Sequence, residues 1–352
     1  MTDLNAMWRD YELDHLEQGI KSLFPQKSFS LFSVLEHLLV GDFREAFHEL
    51  WDGLLQSTVT DLGGLKNVFV SLLVIGIVSA FVVSMMNLFE TKQISDLGFY
   101  FIYLSLALVL ICSFKTAMNT SEDTLRKIIE FHEILFPSYL LTVGMATGTT
   151  TATFSYQLCL LLIYGVEILF RGVLFPLIQS YMMLTVLNGV WPENKLALLI
   201  KLMGRIITWI LNICLWAVLG TGFFQSVMTP VIDNAGNSMW KKVIHSIPGI
   251  GDTARSVMEM IMGSATLLKN SVGVVLMILL LGMCITPMIK ICGIFLPMKA
   301  AAACMAPVGD KRVTACTDQA GEAIFLLLRT VATAMLLFGI TIGITIVTTV
   351  RG

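Results

Sequence analysis

The chain is short of charge. Asp, Glu, Lys and Arg supply 14% of its 352 residues, against roughly 25% in soluble domains. A water-facing surface cannot be built from so little, which excludes an ordinary soluble fold. Net charge is missing too. The formal balance is −2, which excludes nucleic-acid binding as a property of the whole chain. The seven cysteines include no C-x-x-C pair, so neither metal spacing nor a disulfide framework is present. They read as small, polarizable packing residues. The signatures of soluble enzymes are absent as well: no G-x-x-x-x-G-K-[ST], no H-E-x-x-H and no G-x-S-x-G occurs. Five histidines (His15, His37, His48, His132 and His245) are scattered near polar flanks. They read as satisfied surface or interface groups rather than ligands. No catalytic residue, metal or cofactor is expected. Met1–Gly41 also lacks the basic segment and apolar core of a signal peptide.

What the chain has is apolar length. A bilayer core needs ~20 mostly apolar residues as helix. Leu65–Phe89, Leu97–Met118, Tyr156–Leu187, Leu198–Met228, Ser271–Phe295 and Ala323–Val350 meet or approach that length. The expected fold is all-α: a polytopic integral membrane helical bundle of six to eight spans, some broken or re-entrant. A small amphipathic helical segment precedes it. Lipid is the expected solvent for most of these residues.

Four parts follow along the chain. Residues 1–64 carry four Lys/Arg against eleven Asp/Glu and place Leu13, Leu16, Ile20 and Leu23 on one helical face. They read as a cap on the membrane domain, an interfacial element or a docking site for a partner. Residues 65–133 form a first transmembrane hairpin plus a polar amphipathic connector, Asn119–Glu133, which Thr120 or Ser121 would cap. Residues 134–245 and 246–352 are membrane units with broken helices. Phe136–Ser155 is apolar and then rich in Thr and Gly, which predicts a re-entrant or broken element. Pro137, Pro176, Pro248, Pro287 and Pro307 mark the candidate breaks. Pro137 and Pro248 are 111 residues apart, as are Pro176 and Pro287, and FPLIQ (175–179) lines up with TPMIK (286–290). That spacing hints at an internal repeat, a feature of transporter folds.

Chemistry inside spans is sparse. Glu167 and Arg171 stand i,i+4 with the acid first, the favourable order on a helix. Ionisable groups within a span default to a functional hypothesis, beside the plainer reading of a pair that fixes packing. Arg205, Lys269, Lys290 and Arg329 read as single cations that snorkel. Gly144–Gly148 and Gly339–Gly343 are G-x-x-x-G pairs, which allow close helix approach in lipid and make a homo-oligomer a candidate state.

Longer stretches carry a family resemblance. They are SLALVLICSF (105–114), IIEFHEILFPSYLLTVGMATGTTTATFSYQL (128–158), GVLFPLIQSYMMLTVLN (172–188), SIPGIGDTARSVMEMIMGSATLLKNSVG (246–273) and PMKAAAACMAPVGDKRV (297–313). With the acidic amphipathic head, and in this order, the chain resembles the stage III sporulation protein AE family over nearly its whole length. The head departs from the family pattern, in which members begin with a signal-like segment. The resemblance implies a polytopic subunit of a transenvelope complex linking mother cell and forespore, in the mother-cell membrane surrounding the forespore. Its implied partners are the other membrane proteins of the stage III A complex, including a cytoplasmic ATPase and ring-forming subunits. The implied role is in a secretion or feeding channel that supports the forespore after engulfment. The family assigns no catalytic residues. The alternative is a self-contained secondary transporter that uses a repeat interface and the Glu167–Arg171 pair.

Overall fold

A computed structural model describes the backbone of residues 70, 74, 92–147, 149–191, 195–244, 251–307 and 310–348. It describes the side chains of 70, 74, 98–134, 157, 160–191, 195–220, 271–307 and 310–343. The described secondary structure is helical throughout. Helix α1 is Lys92–Thr147, α2 Thr149–Leu169, and a π-helical turn Phe170–Leu174 leads into α3, Phe175–Val190. Helices α4 (Ala197–Ile244), α5 (Gly251–Met305) and α6 (Lys311–Thr348) follow.

Among the described residues, five stretches are long and apolar enough to cross a membrane. They are Gly98–Ile134, Leu160–Val190, Ala197–Gly220, Ser271–Met305 and Lys311–Gly343. Each overlaps one of the predicted runs. The sixth run, Leu65–Phe89, lies outside the described residues except for Val70 and Val74, and so does the amphipathic segment 1–64. The described span count is therefore five. Helix is what such a crossing requires, because in lipid every backbone N–H and C=O must be paired within the chain.

Contacts fix the directions. Phe99 and Tyr103 of α1 meet Arg312 and Cys316 of α6, and far along both helices His132 meets Phe338. Helices α1 and α6 are therefore parallel. Tyr103 also meets Val186 near the end of α3, so α3 is antiparallel to both. Lys299 pairs with Asp318 and Leu280 packs on Gly339, which makes α5 and α6 an antiparallel hairpin. The α2–α3 rod and α4 form a second hairpin of the same sense. Helices α5 and α6 bury the largest share of their apolar windows and α4 the smallest. The core accordingly centres on α5, α6 and the inner face of α1, through Leu106, Leu110, Leu279 and Leu327.

Several expectations are corrected. The connector 119–133 is not a separate helix but part of α1. Thr120 and Ser121 cap nothing, because no helix begins there. Their hydroxyls donate back to the carbonyls of Thr116 and Ala117, at 2.9 and 2.8 Å. The inner face runs unbroken through Ala117, Ser121, Leu125, Ile128 and His132, and that continuity holds the helix together. The stretch 136–155 is helical to Thr147 and again from Thr149, with residue 148 outside the described residues.

The candidate breaks fall in different places. Residue 137 lies within α1 and residue 144 is helical there, whereas Gly148 and Pro248 lie outside the described residues. Pro287 lies inside α5 together with Pro297 and does not divide that helix. Pro307 sits in the turn after α5. Pro176 follows the π-helical turn and occupies the first turn of α3. Proline has no N–H to give and its ring crowds the carbonyl four residues back. Widening the preceding turn to i→i+5 relieves that crowding without ending the rod, and Phe175 N–H accordingly bonds Phe170 O.

Candidate functional site

Besides Arg126, which pairs with Asp123 and Glu130 along α1, charged side chains within the candidate spans gather at two further places. The first is the junction between α2 and the π-helical turn. Arg171 Nη1 donates to Glu167 Oε1 at 2.8 Å, with the acid about a third exposed and the base about half. The pair straddles the widened turn, where irregular helix often marks a functional position. Gly165 and Gly172 have nothing within 4 Å of an added Cβ, so the outer face here is open.

The second place joins α5 to α6. Lys299 Nζ lies 2.7 Å from Asp318 Oδ1 and 3.4 Å from Glu322 Oε2. One cation thus faces two carboxylates, one turn apart on α6. Gly321 makes room for it: an added Cβ would stand 3.3 Å from Lys299 Cδ, so the lysine stem lies along the glycine. All three groups are partly exposed and belong to candidate spans. The cluster sets one positive charge against two negative ones.

A tie at the adjoining end holds this arrangement. Tyr103 OH donates to Val186 O and lies 3.3 Å from Cys316 Sγ. Gly189 admits the tyrosine, since an added Cβ would overlap the Tyr103 ring. Asn188 Oδ1 accepts the Leu196 N–H at 2.9 Å and so closes the α3–α4 turn. Asp310 caps α6, its Oδ1 accepting the Arg312 N–H at 2.7 Å. The Arg312 guanidinium lies 3.5 Å over the Phe99 ring, a cation–π contact. Helices α1, α3, α4, α5 and α6 thus share one pinned end.

Exposed aromatic rings lie toward both ends of the bundle, with Trp209 between them on α4. Tyr100 and Trp191 are exposed at the pinned end, while Tyr164 and Trp216 are exposed far from it. Trp216 stands ~30 Å along α4 from its start, at 1.5 Å per residue, about the thickness of a hydrocarbon core. Tyrosine and tryptophan favour such interfaces.

Other sequence expectations meet mixed outcomes. Arg329 is not a single cation: its Nη2 donates to Asn212 Oδ1 at 3.1 Å, joining α6 to α4. His132 is not a surface group. It is fully buried, with a ring nitrogen 2.9 Å from Ile128 O and ring contacts to Phe131 and Phe338. Of the glycine pairs, a Cβ added at Gly339 would stand an ordinary 3.8 Å from Leu280 Cδ2, and one added at Gly343 would meet nothing within 4 Å. Sequence reasoning missed Lys299, because its partners lie across a turn 19 and 23 positions on. The signal that could have found it is the acid pair Asp318 and Glu322 at i,i+4, facing a lysine equally far before the turn. Among the described residues no group of three His, Cys, Asp or Glu could hold a metal. The arrangement can present charge on the bundle surface and lock helices together.

The model of the family described as stage III sporulation protein AE matches residues 29–349. One similar protein is "Stage III sporulation protein AE" of Bacillus subtilis (strain 168), 23% identical over 261 residues. That match covers 74% of this chain and 65% of the relative's length. No solved structure matches.

Proposed function

The chain belongs to the stage III sporulation protein AE family, and from that premise we propose that it is a non-enzymatic, multi-span component of a transenvelope channel or secretion complex. The complex would lie between mother cell and forespore, and this subunit in the mother-cell membrane around the forespore. It would be needed after engulfment. The observation that carries the reading is the Lys299–Asp318–Glu322 cluster, partly exposed within two candidate spans. Lipid is a poor neighbour for such a cluster, so a protein or aqueous neighbour fits it better. The outermost helix adds a broad apolar face, with Leu198, Trp209, Ile213 and Trp216 exposed. Its partners would be the other stage III A membrane proteins, including the cytoplasmic ATPase and ring-forming subunits, or a second copy.

A secondary transporter is the second reading, and the Glu167–Arg171 pair beside the π-helical turn is what favours it. Two experiments separate the readings. A channel subunit, tagged and extracted from sporulating cells, co-purifies with other sporulation membrane proteins, and its deletion arrests development after engulfment. A transporter moves solute when reconstituted alone, and Glu167→Gln abolishes that transport. Solute movement by the lone protein, with no co-purifying partner, overturns the channel reading.

A further inference from the structure

Beside the ion pairs lies a groove that none of the preceding features occupies. It holds about 330 Å³ between α1 and α3. Its walls change character along the bundle. Nearest the pinned end are Met182 and Met183 of α3, and across from them Ile111 of α1. Gln179 follows on α3, then Lys115, Met118 and Glu122 on α1. Lys115, Gln179 and Glu122 are all exposed. The order follows from the antiparallel course of α1 and α3, fixed where Tyr103 meets Val186.

The depth of each group can be placed. Tyr103 is level with Cys316 and His132 with Phe338, so Lys115 lies between those two levels, nearer the first. Glu122 stands on the same face of α1, ~10 Å farther out at 1.5 Å per residue. Away from the pinned end the groove presents the thioethers of Met182 and Met183, the Gln179 amide, the Lys115 cation, Met118 with Asn119, and then the Glu122 anion.

We propose that this groove binds one phospholipid with an amine headgroup, of the phosphatidylethanolamine type. The acyl chain lies on the methionines, whose unbranched thioethers adapt to an irregular apolar shape. Gln179 meets the ester carbonyls. Lys115 takes the phosphate, and Glu122 takes the ammonium that lies outward of it. The sequence of charges in the lipid is the sequence of charges in the groove. A headgroup with a phosphate but no amine would offer Glu122 no cation. The proposal rests on the reading of the chain as a membrane protein and not on its place in a sporulation complex.

The test is native mass spectrometry of the full chain purified in detergent and challenged in turn with phosphatidylethanolamine and phosphatidylglycerol. The expected result is one retained phosphatidylethanolamine per chain. Lys115→Gln with Glu122→Gln lowers that retention roughly tenfold or more, the factor that corresponds to one lost charged contact. Met183→Trp, at a half-exposed position, fills the groove and lowers retention of both lipids without touching either charge. Equal retention of the two lipids overturns the proposal, as does retention unchanged in the double variant. So does a photocrosslinker at position 183 that captures a protein helix instead of lipid. Extraction of the chain from membranes without detergent would overturn the membrane reading itself, and it is scored separately.

Discussion

Lys299 on α5 and Asp318 on α6 form a 2.7 Å ion pair across the tightest hairpin of the bundle, with Glu322 one turn on as a second acceptor. The pair joins helices whose connecting turn is short, so it sets their register as well as their charge. Gly321 beneath the lysine stem shows that the backbone accommodates this one side chain.

Removing the cation should leave two carboxylates facing each other. Lys299→Met is expected to lower the thermal midpoint in detergent by the equivalent of ~1 kcal/mol, the scale of a partly exposed pair. Lys299→Arg should retain most of that stability. A double-mutant cycle with Asp318→Asn measures the coupling, and a coupling of zero would remove the pair from any structural role.

The tyrosine at the pinned end makes a steric prediction. Gly189→Ala places a methyl against the Tyr103 ring, and overpacking of this kind costs about 1–3 kcal/mol. Tyr103→Ala in the same chain should relieve the clash, so the double variant is less unstable than the two single losses added together. Strict additivity in thermal unfolding would contradict the contact.

Asn188 makes a polar one. Asn188→Leu removes the acceptor of the Leu196 N–H at a buried position. Leaving such a donor unsatisfied costs about 1–3 kcal/mol. Hydrogen exchange at the start of α4 should rise in the variant, and an unchanged rate would show that the side chain does not close the turn.

Helix direction predicts labelling from opposite sides. Lys195→Cys and Lys311→Cys lie at the pinned end, while Asp123→Cys and Lys127→Cys lie far along α1. Cys112 and Cys304 are exposed and must first be replaced by serine. An impermeant thiol reagent added to sealed vesicles should modify one set and spare the other. Modification of Lys195→Cys and Lys311→Cys from different sides would refute the parallel arrangement of α4 and α6.

Apolar length made the spans legible, since all five described stretches overlap runs visible in the sequence. The ion pair at Glu167 and Arg171 could be seen because i,i+4 neighbours meet on any helix. Lys299 could not be seen, because its partners meet it only once two helices fold against each other. The continuity of α1 was hidden by Asn119–Asp123, a polar run that imitates a helix start. What overrides it is the buried stripe on the other face, ending at His132. Arg329 looked solitary for the same reason as Lys299: Asn212 lies on another helix. Proline was read as a break where the chain in fact absorbs it, through a π-helical turn before Pro176 and without interruption at Pro287.

The two hairpins rise and fall in the same sense, each leaving from the far end and turning at the pinned one. Superposing one on the other therefore requires rotation about the membrane normal, not inversion through its plane. Among the described residues, these two hairpins do not supply the upside-down halves that some transporters exchange between inward-open and outward-open shapes. A pathway built between these two hairpins would be lined by helices that run in matched directions.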